Sequence, residues 1–179
     1  VTSPLLPCPP KRPKRNQGFS LVELLIVVAV ISIVIGFAVP NMRQIMLNNS
    51  AKAAINSLLG GLQMARNEAV ARGKAITFCP SNQQGSNCGT TNAETAYQYG
   101  ALLMMVGDSE VIHRTEPAPK NVQVNHEGDS KINFQSSGIV KNTGAIRVAG
   151  QGSIKKTICI GAFGQTHTKE GIGAGVTCP

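Results

Sequence analysis

One carboxylate, Glu23, stands inside an apolar run that begins at Phe19 and extends to Val39. As a helix rising ~1.5 Å per residue, that run covers about 30 Å, the thickness of a bilayer core. An ionised carboxylate in such a segment costs roughly 2.5–3.5 kcal/mol at mid-membrane and less near the interface, where Glu23 would start. A bare anchor has no use for it, so its chemistry is that of an ion pair awaiting a cation. Ahead of the run, Lys11, Arg12, Lys14 and Arg15 form a basic cluster that ends at Gly18. Such a cluster stays cytoplasmic. An ordinary secretory signal is cut after its apolar segment, at small residues. Here the boundary Gly18/Phe19 precedes the segment, so cleavage there keeps the apolar helix. The plain alternative is an uncleaved signal anchor with a chance glutamate.

The other reactive side chains are cysteines. Of five, Cys8 lies in the leader, and Cys79, Cys88, Cys159 and Cys178 remain. An even set on the exported side of a membrane reads as disulfides. Four cysteines allow three pairings. The sequence-adjacent pairs are favoured, because Cys79 and Cys88 flank a turn-rich segment and Cys159 and Cys178 bracket the tail. A metal centre is disfavoured: there is no Cys-x-x-Cys, and no histidine stands at ligand spacing. His113, His126 and His167 are isolated in sequence and read as surface or strand residues. No glycine-rich phosphate loop follows a strand. The chain reads as a non-enzyme, with no cofactor expected.

Composition sets the scale. The 179 residues carry 17 Lys and Arg against 9 Asp and Glu, a net +8. Removing the four leader cations leaves 13 against 9, or +4. That excess is compatible with an anionic partner without demanding one. Lys155, Lys156 and Lys169, with Lys141 and Arg147, are the candidate DNA contacts. The competing reading is ordinary strand-edge lysines, which discourage edge-to-edge pairing.

The string Gly18-Phe19-Ser20-Leu21-Val22-Glu23-Leu24 resembles the class III leader of bacterial type IV pilins and type II secretion pseudopilins. The resemblance implies that a prepilin peptidase cuts between Gly18 and Phe19 and methylates the new amino terminus on Phe19. It implies that Glu23 meets the amino terminus of a neighbouring subunit during assembly. The segment 65–73, with Phe78-Cys79-Pro80-Ser81 and Cys88 after it, resembles the GspH/FimT-type minor pilins. So, more loosely, do Val111-Ile112-His113-Arg114 and Ile132-Asn133-Phe134 with Gly138. In relatives that bind DNA the tail carries Gly-Arg-x-Arg. The counterpart here, Gly164-Gln165-Thr166-His167, has neither arginine.

The elements that must position these residues follow. Pro40 removes a helix hydrogen bond and crowds the carbonyl of Gly36, so a kink is expected over 36–40 rather than an end. From 42 to 72 the apolar residues recur at helical spacing. Ile45, Ile55, Leu58, Leu59, Leu62, Ala65, Ala69 and Val70 mark one face, and Lys52, Asn56, Gln63, Arg66 and Asn67 fall off it. Gly60-Gly61 weakens the helix locally, and Gly73 is its natural stop. Arg66, Glu68 and Arg72 are either a solvated face or a docking site for neighbouring subunits. Strands are expected over 75–79, 97–106, 110–115, 121–125, 131–135, 145–148 and 154–161, with a weak edge strand over 165–169.

The expected class is α+β, a pilin fold with a long N-terminal helix on antiparallel sheet. Its parts are a cleaved leader (1–18), a transmembrane and assembly helix (19–40), an amphipathic continuation (41–73) and a periplasmic β-rich head (74–179). The implied function is a minor pilin that helps initiate or cap a type IV pilus. The alternatives are a GspH-type pseudopilin of type II secretion and a DNA-binding minor pilin of natural transformation. The implied partners are other minor and major pilins or pseudopilins, the prepilin peptidase and the inner membrane. DNA is the partner the residues do not favour.

Overall fold

The structure is a computed structural model that describes residues 18–89, 96–108, 110–127, 131–173, 176 and 178. The leader cations and Cys8 lie outside the described residues. The chain divides into two compact units, Val1–Pro40 and Asn41–Pro179. Helix α1 runs from Leu21 to Arg72, so Pro40 stands inside it and does not end it.

Within the second unit, α1 buries Ala51, Ala54, Ile55, Leu58, Leu62, Ala65 and Ala69. These recur at intervals of three and four, one stripe of a 3.6-residue helix. The stripe differs from the expected one at its ends. Ile45 and Val70 are exposed. Alanines fill the places where the helix comes nearest the sheets. Gly61 is also buried. A Cβ there would come 2.8 Å from Thr115 Cγ2 and 2.9 Å from Phe78 Cε2. This glycine is therefore a close-packing position. Gly60, beside it, has open space where a Cβ would go. The helix stops at Gly73, whose φ of +61° an L side chain rarely adopts.

Among the described residues eight strands follow: β1 (Ile76–Pro80), β2 (Ala101–Met105), β3 (Val111–Arg114), β4 (Val122–Glu127), β5 (Ile132–Phe134), β6 (Gly144–Gly150), β7 (Lys155–Ile160) and β8 (Thr166–Glu170). They form two four-stranded sheets, in the orders β3-β2-β1-β5 and β4-β6-β7-β8. Every pairing is antiparallel. The sheets meet where Val140 bridges Phe134 and its N–H donates to the Ala162 carbonyl at 2.8 Å. The inner faces share one core with α1, including Phe78, Leu103, Phe134, Ile146, Val148 and Ile158.

β2 starts later than the pattern indicates. Residues 97–99 form a turn, and Gly100 takes φ +86°. Tyr97 thus enters the core as a turn residue, its ring 6.1 Å from that of Phe78. Burial pushes its phenol pKa up. Its hydroxyl lies 2.9 Å from His126 Nδ1. His126 is therefore tied to the core rather than isolated.

Candidate assembly site

The apolar half of α1 is built to be covered by something other than its own chain. Leu21 to Val39 are all exposed, and Phe19 just before them is 85% exposed. Among the described residues, α1 alone contains a segment long and apolar enough to cross a membrane. Glu23 sits in its first turn, where the free N–H groups of a helix favour a carboxylate. The Leu24 N–H donates to the Ser20 carbonyl at 3.1 Å, setting the start of the helix. Ser32 turns its hydroxyl back to the Val28 carbonyl at 2.8 Å, satisfying a polar group inside the run. Phe19 and Glu23 are four residues apart, and Gly18 stands next to Phe19, outside the helix.

The head carries two disulfides. Cys79 at the end of β1 is joined to Cys88, with Cα atoms 5.6 Å apart. The intervening loop is organised by Asn82, whose Oδ1 accepts from the N–H of Ser86 at 3.0 Å and of Asn87 at 3.3 Å. It closes the outer face of the first sheet over Leu102 and Met104. Cys159 on β7 is joined to Cys178. This draws the tail onto the outer face of the second sheet. There Thr157 donates its hydroxyl to the Gly171 carbonyl at 2.7 Å, and Gly171 N–H donates to the Lys155 carbonyl at 2.8 Å.

The structure divides the lysines between two faces. Lys155 and Lys156 are adjacent on β7, so the pleat sends them to opposite faces. Lys156 pairs with Glu170 at 2.8 Å, and Arg147 pairs with Glu127. Lys169 lies opposite Thr157, on the Lys155 side. On α1, Arg72 is bonded to Glu68 one turn back, which raises its pKa. Arg66 instead lies against the turns at Gly138 and Gly164. Among the described residues, no group of three or more His, Cys, Asp or Glu could hold a metal ion.

A single apolar helix with an acidic first turn, continued into a disulfide-linked head of two antiparallel sheets, defines a membrane-anchored pilin-like subunit. The family described as Type II transport protein GspH matches residues 54–164, and the prokaryotic N-terminal methylation motif matches residues 13–39. The first match spans more than half of the chain, which therefore belongs to the GspH family of minor pilins and pseudopilins.

The fold is similar to that of the type IV minor pilin FimU of Pseudomonas aeruginosa PAO1. The TM-score is 0.53 at 14% identity, over 68% of this chain and 90% of that one. It is also similar to the minor pseudopilin EpsH from the type 2 secretion system of Vibrio cholerae. There the TM-score is 0.50 at 11% identity, over 68% of this chain and 97% of that one. At such identities the likeness is one of fold. No curated protein sequence matches the chain.

Proposed function

We propose that this chain is a minor pilin that enters a type IV pilus through its N-terminal helix and helps initiate or cap the filament. The leader is cut between Gly18 and Phe19 by a prepilin peptidase, and Phe19 is N-methylated. The head is then periplasmic and the helix spans the inner membrane until assembly. The observation that carries this reading is the exposed run 21–39 with one carboxylate in its first turn, four residues after Phe19. The apolar surface is at home in lipid, but Glu23 is costly there without a cation. The amino terminus of a neighbouring subunit supplies one at the matching depth, and two charges costly alone in lipid lose less when paired.

The test is Glu23→Ala in the native host. Membrane insertion is expected to be unchanged or improved, and recovery of the chain in sheared filaments to fall at least tenfold. Wild-type incorporation of the alanine variant rejects the pairing role. N-terminal analysis of the membrane-extracted protein is expected to start at methylated Phe19. A start beyond Val39 rejects the assembly-helix reading.

The second reading is a pseudopilin of type II secretion. The GspH family description and the fold likeness to EpsH favour it. Deleting the gene separates the two. Loss of surface pili with normal exoprotein secretion supports the first reading, and the reverse supports the second.

A further inference from the structure

The end of the head at which its chain begins is built from turns that carry cations. The turn between β6 and β7 is fastened to the early part of the head helix. Asn48 Oδ1 accepts from the Ser153 N–H at 3.0 Å, and a Cβ on Gly150 would come 2.8 Å from Ala51 Cβ. The entry to β4 lies beside that turn. The Gln151 N–H donates to the Asn121 carbonyl at 3.0 Å, and Val122 stands opposite Gly150. Lys120 precedes this entry, and Lys155 opens β7. Lys52 follows Ala51 on α1, and Arg43 stands nine residues before it. Arg43, Lys52, Lys120 and Lys155 therefore share the basal end of the head. All four are exposed, and among the described residues none is in an ion pair. Lys156, beside Lys155, is held by Glu170. The four equal the chain's whole excess of positive charge beyond the leader, since the other cations there match the 9 acids in number.

Chain length sets this rim at a membrane surface. From Leu21 to Asn48, α1 covers about 40 Å at ~1.5 Å per residue, the thickness of a bilayer with its headgroup regions. The apolar character of the helix outlasts Val39 to match. Met42, Ile45 and Met46 fall on one side of it and are each more than half exposed. Arg43 lies within the same stretch, at headgroup depth. Lys52 is four residues past Asn48, about 6 Å, which is inside the ~8 Å over which a surface charge acts at physiological ionic strength.

The rim cations share a level but not a side. Arg43 and Lys52 are about 180° apart around the helix at 3.6 residues per turn. Lys155 projects from one face of the second sheet, opposite to Lys156. A rod-like polyanion touches one side of the head and misses most of them. A leaflet surrounds the helix that emerges from it and meets them all. Cations set around an emerging helix thus suit a plane of anions.

We propose that the basal rim of the head binds anionic phospholipid headgroups of the leaflet from which the helix emerges, with Arg43 in the headgroup layer and Lys52, Lys120 and Lys155 just above it. The contact holds the head against the membrane before the subunit enters a filament. It rests on the assembly reading, because α1 must be anchored in a bilayer for the rim to reach one.

The chain has no tryptophan, so Gln151→Trp in the turn between β6 and β7 is a single fluorescent reporter of the rim. The full chain is reconstituted in phosphatidylcholine vesicles with or without about 30 mol% phosphatidylglycerol, all carrying the same fraction of headgroup spin-labelled phosphatidylcholine. Quenching is expected to be at least ~twofold stronger with phosphatidylglycerol at physiological salt. It is expected to fall to the phosphatidylcholine level at ~1 M salt, where the Debye length is ~3 Å. Changing Lys52, Lys120 and Lys155 together to alanine is expected to abolish the difference. Changing the same three to arginine is expected to keep it, which separates lost charge from a disturbed fold. Equal quenching in the two compositions, a difference that survives high salt, an alanine variant that keeps it or an arginine variant that loses it each overturns the proposal. Val30→Trp, read with acyl-chain-brominated lipid, tests the anchor separately. Quenching there without a composition effect at position 151 rejects the rim and keeps the anchored helix. No quenching at position 30 rejects the assembly-helix reading itself.

Discussion

At the scale of single residues, two neighbouring glycines on α1 have opposite roles. Gly60 faces open space, so it contributes only the backbone freedom that a helix interior must suppress. Gly60→Ala is expected to stabilise the head by about 0.5–1 kcal/mol. Gly61 lies against Thr115 and Phe78, and a methyl group there must displace one of them. Gly61→Ala is expected to cost about 1–3 kcal/mol despite the better helix propensity of alanine. Urea unfolding of the fragment 41–179 checks both, and equal effects would show that packing at Gly61 is not tight. Tyr97 gives a pH test. Its folded pKa is raised by burial above the ordinary value near 10, so the native state keeps the proton longer than the unfolded chain. Stability from this group is complete below pH ~10 and is lost as pH rises above it, by up to ~1.4 kcal/mol per pH unit. Tyr97→Phe is expected to flatten that alkaline slope while lowering stability at neutral pH through the lost His126 bond. An unchanged slope between pH 9.5 and 11 would exclude Tyr97 as its source.

At the scale of elements, much of the chain was legible. Strands end where Gly, Asn, Asp or Pro gather, and those signals are local. The start of β2 was not legible, because Tyr97 and Gly100 read as extended chain until Gly100 meets the Thr115 carbonyl. The helix stripe was half legible. Large apolar residues declare a face, whereas Ala51, Ala54 and Gly61 serve close approach by being small. Ile45 and Val70 lie about 80–100° around the helix from Leu62, off the buried stripe. The order of the strands and their division into two sheets depend on pairings between distant residues, which periodicity does not encode. Glu23 and its boundary were legible because they are one short string. The basal rim was not, since Lys52, Lys120 and Lys155 share a level only in the fold. The disulfides sit between these cases, local in spacing yet ambiguous in partner. Replacing either pair by alanine is expected to cost about 2–4 kcal/mol, by the model-dependent freeing of the unfolded chain. Loss of Cys159–Cys178 is also expected to speed hydrogen exchange at the Gly171 N–H, which the tail holds on Lys155. Loss of Cys79–Cys88 should leave that amide protected. Hydrogen-exchange mass spectrometry of the two variants distinguishes these local effects from a general loss of stability.

At the scale of the whole molecule, the question is whether the positive charge amounts to a nucleic-acid surface. Affinity for duplex DNA grows with the number of phosphates neutralised together, so cations must share a face. Here they do not. The chain beyond the leader carries +4, read from 13 cations against 9 acids. Lys156 and Arg147 are held by Glu170 and Glu127. Lys155 points to the face opposite Lys156, and that outer face is partly closed by the tail bonded to Cys159. The turn into β8 and the start of that strand present Gln165 and His167 rather than arginines. The fragment 41–179 is therefore expected to bind duplex DNA with a Kd weaker than about 100 μM at physiological salt, at or beyond the weak end of ordinary non-specific association. At low salt some binding is expected, and Lys155→Ala should weaken it more than Lys156→Ala, because Lys156 already has a carboxylate partner. Fluorescence anisotropy with labelled duplex at two salt concentrations measures all of this. Binding at 1 μM or tighter that survives physiological salt would mean that the cations act together in a way the pleat of β7 does not allow, and would promote the DNA-binding reading over the purely structural one.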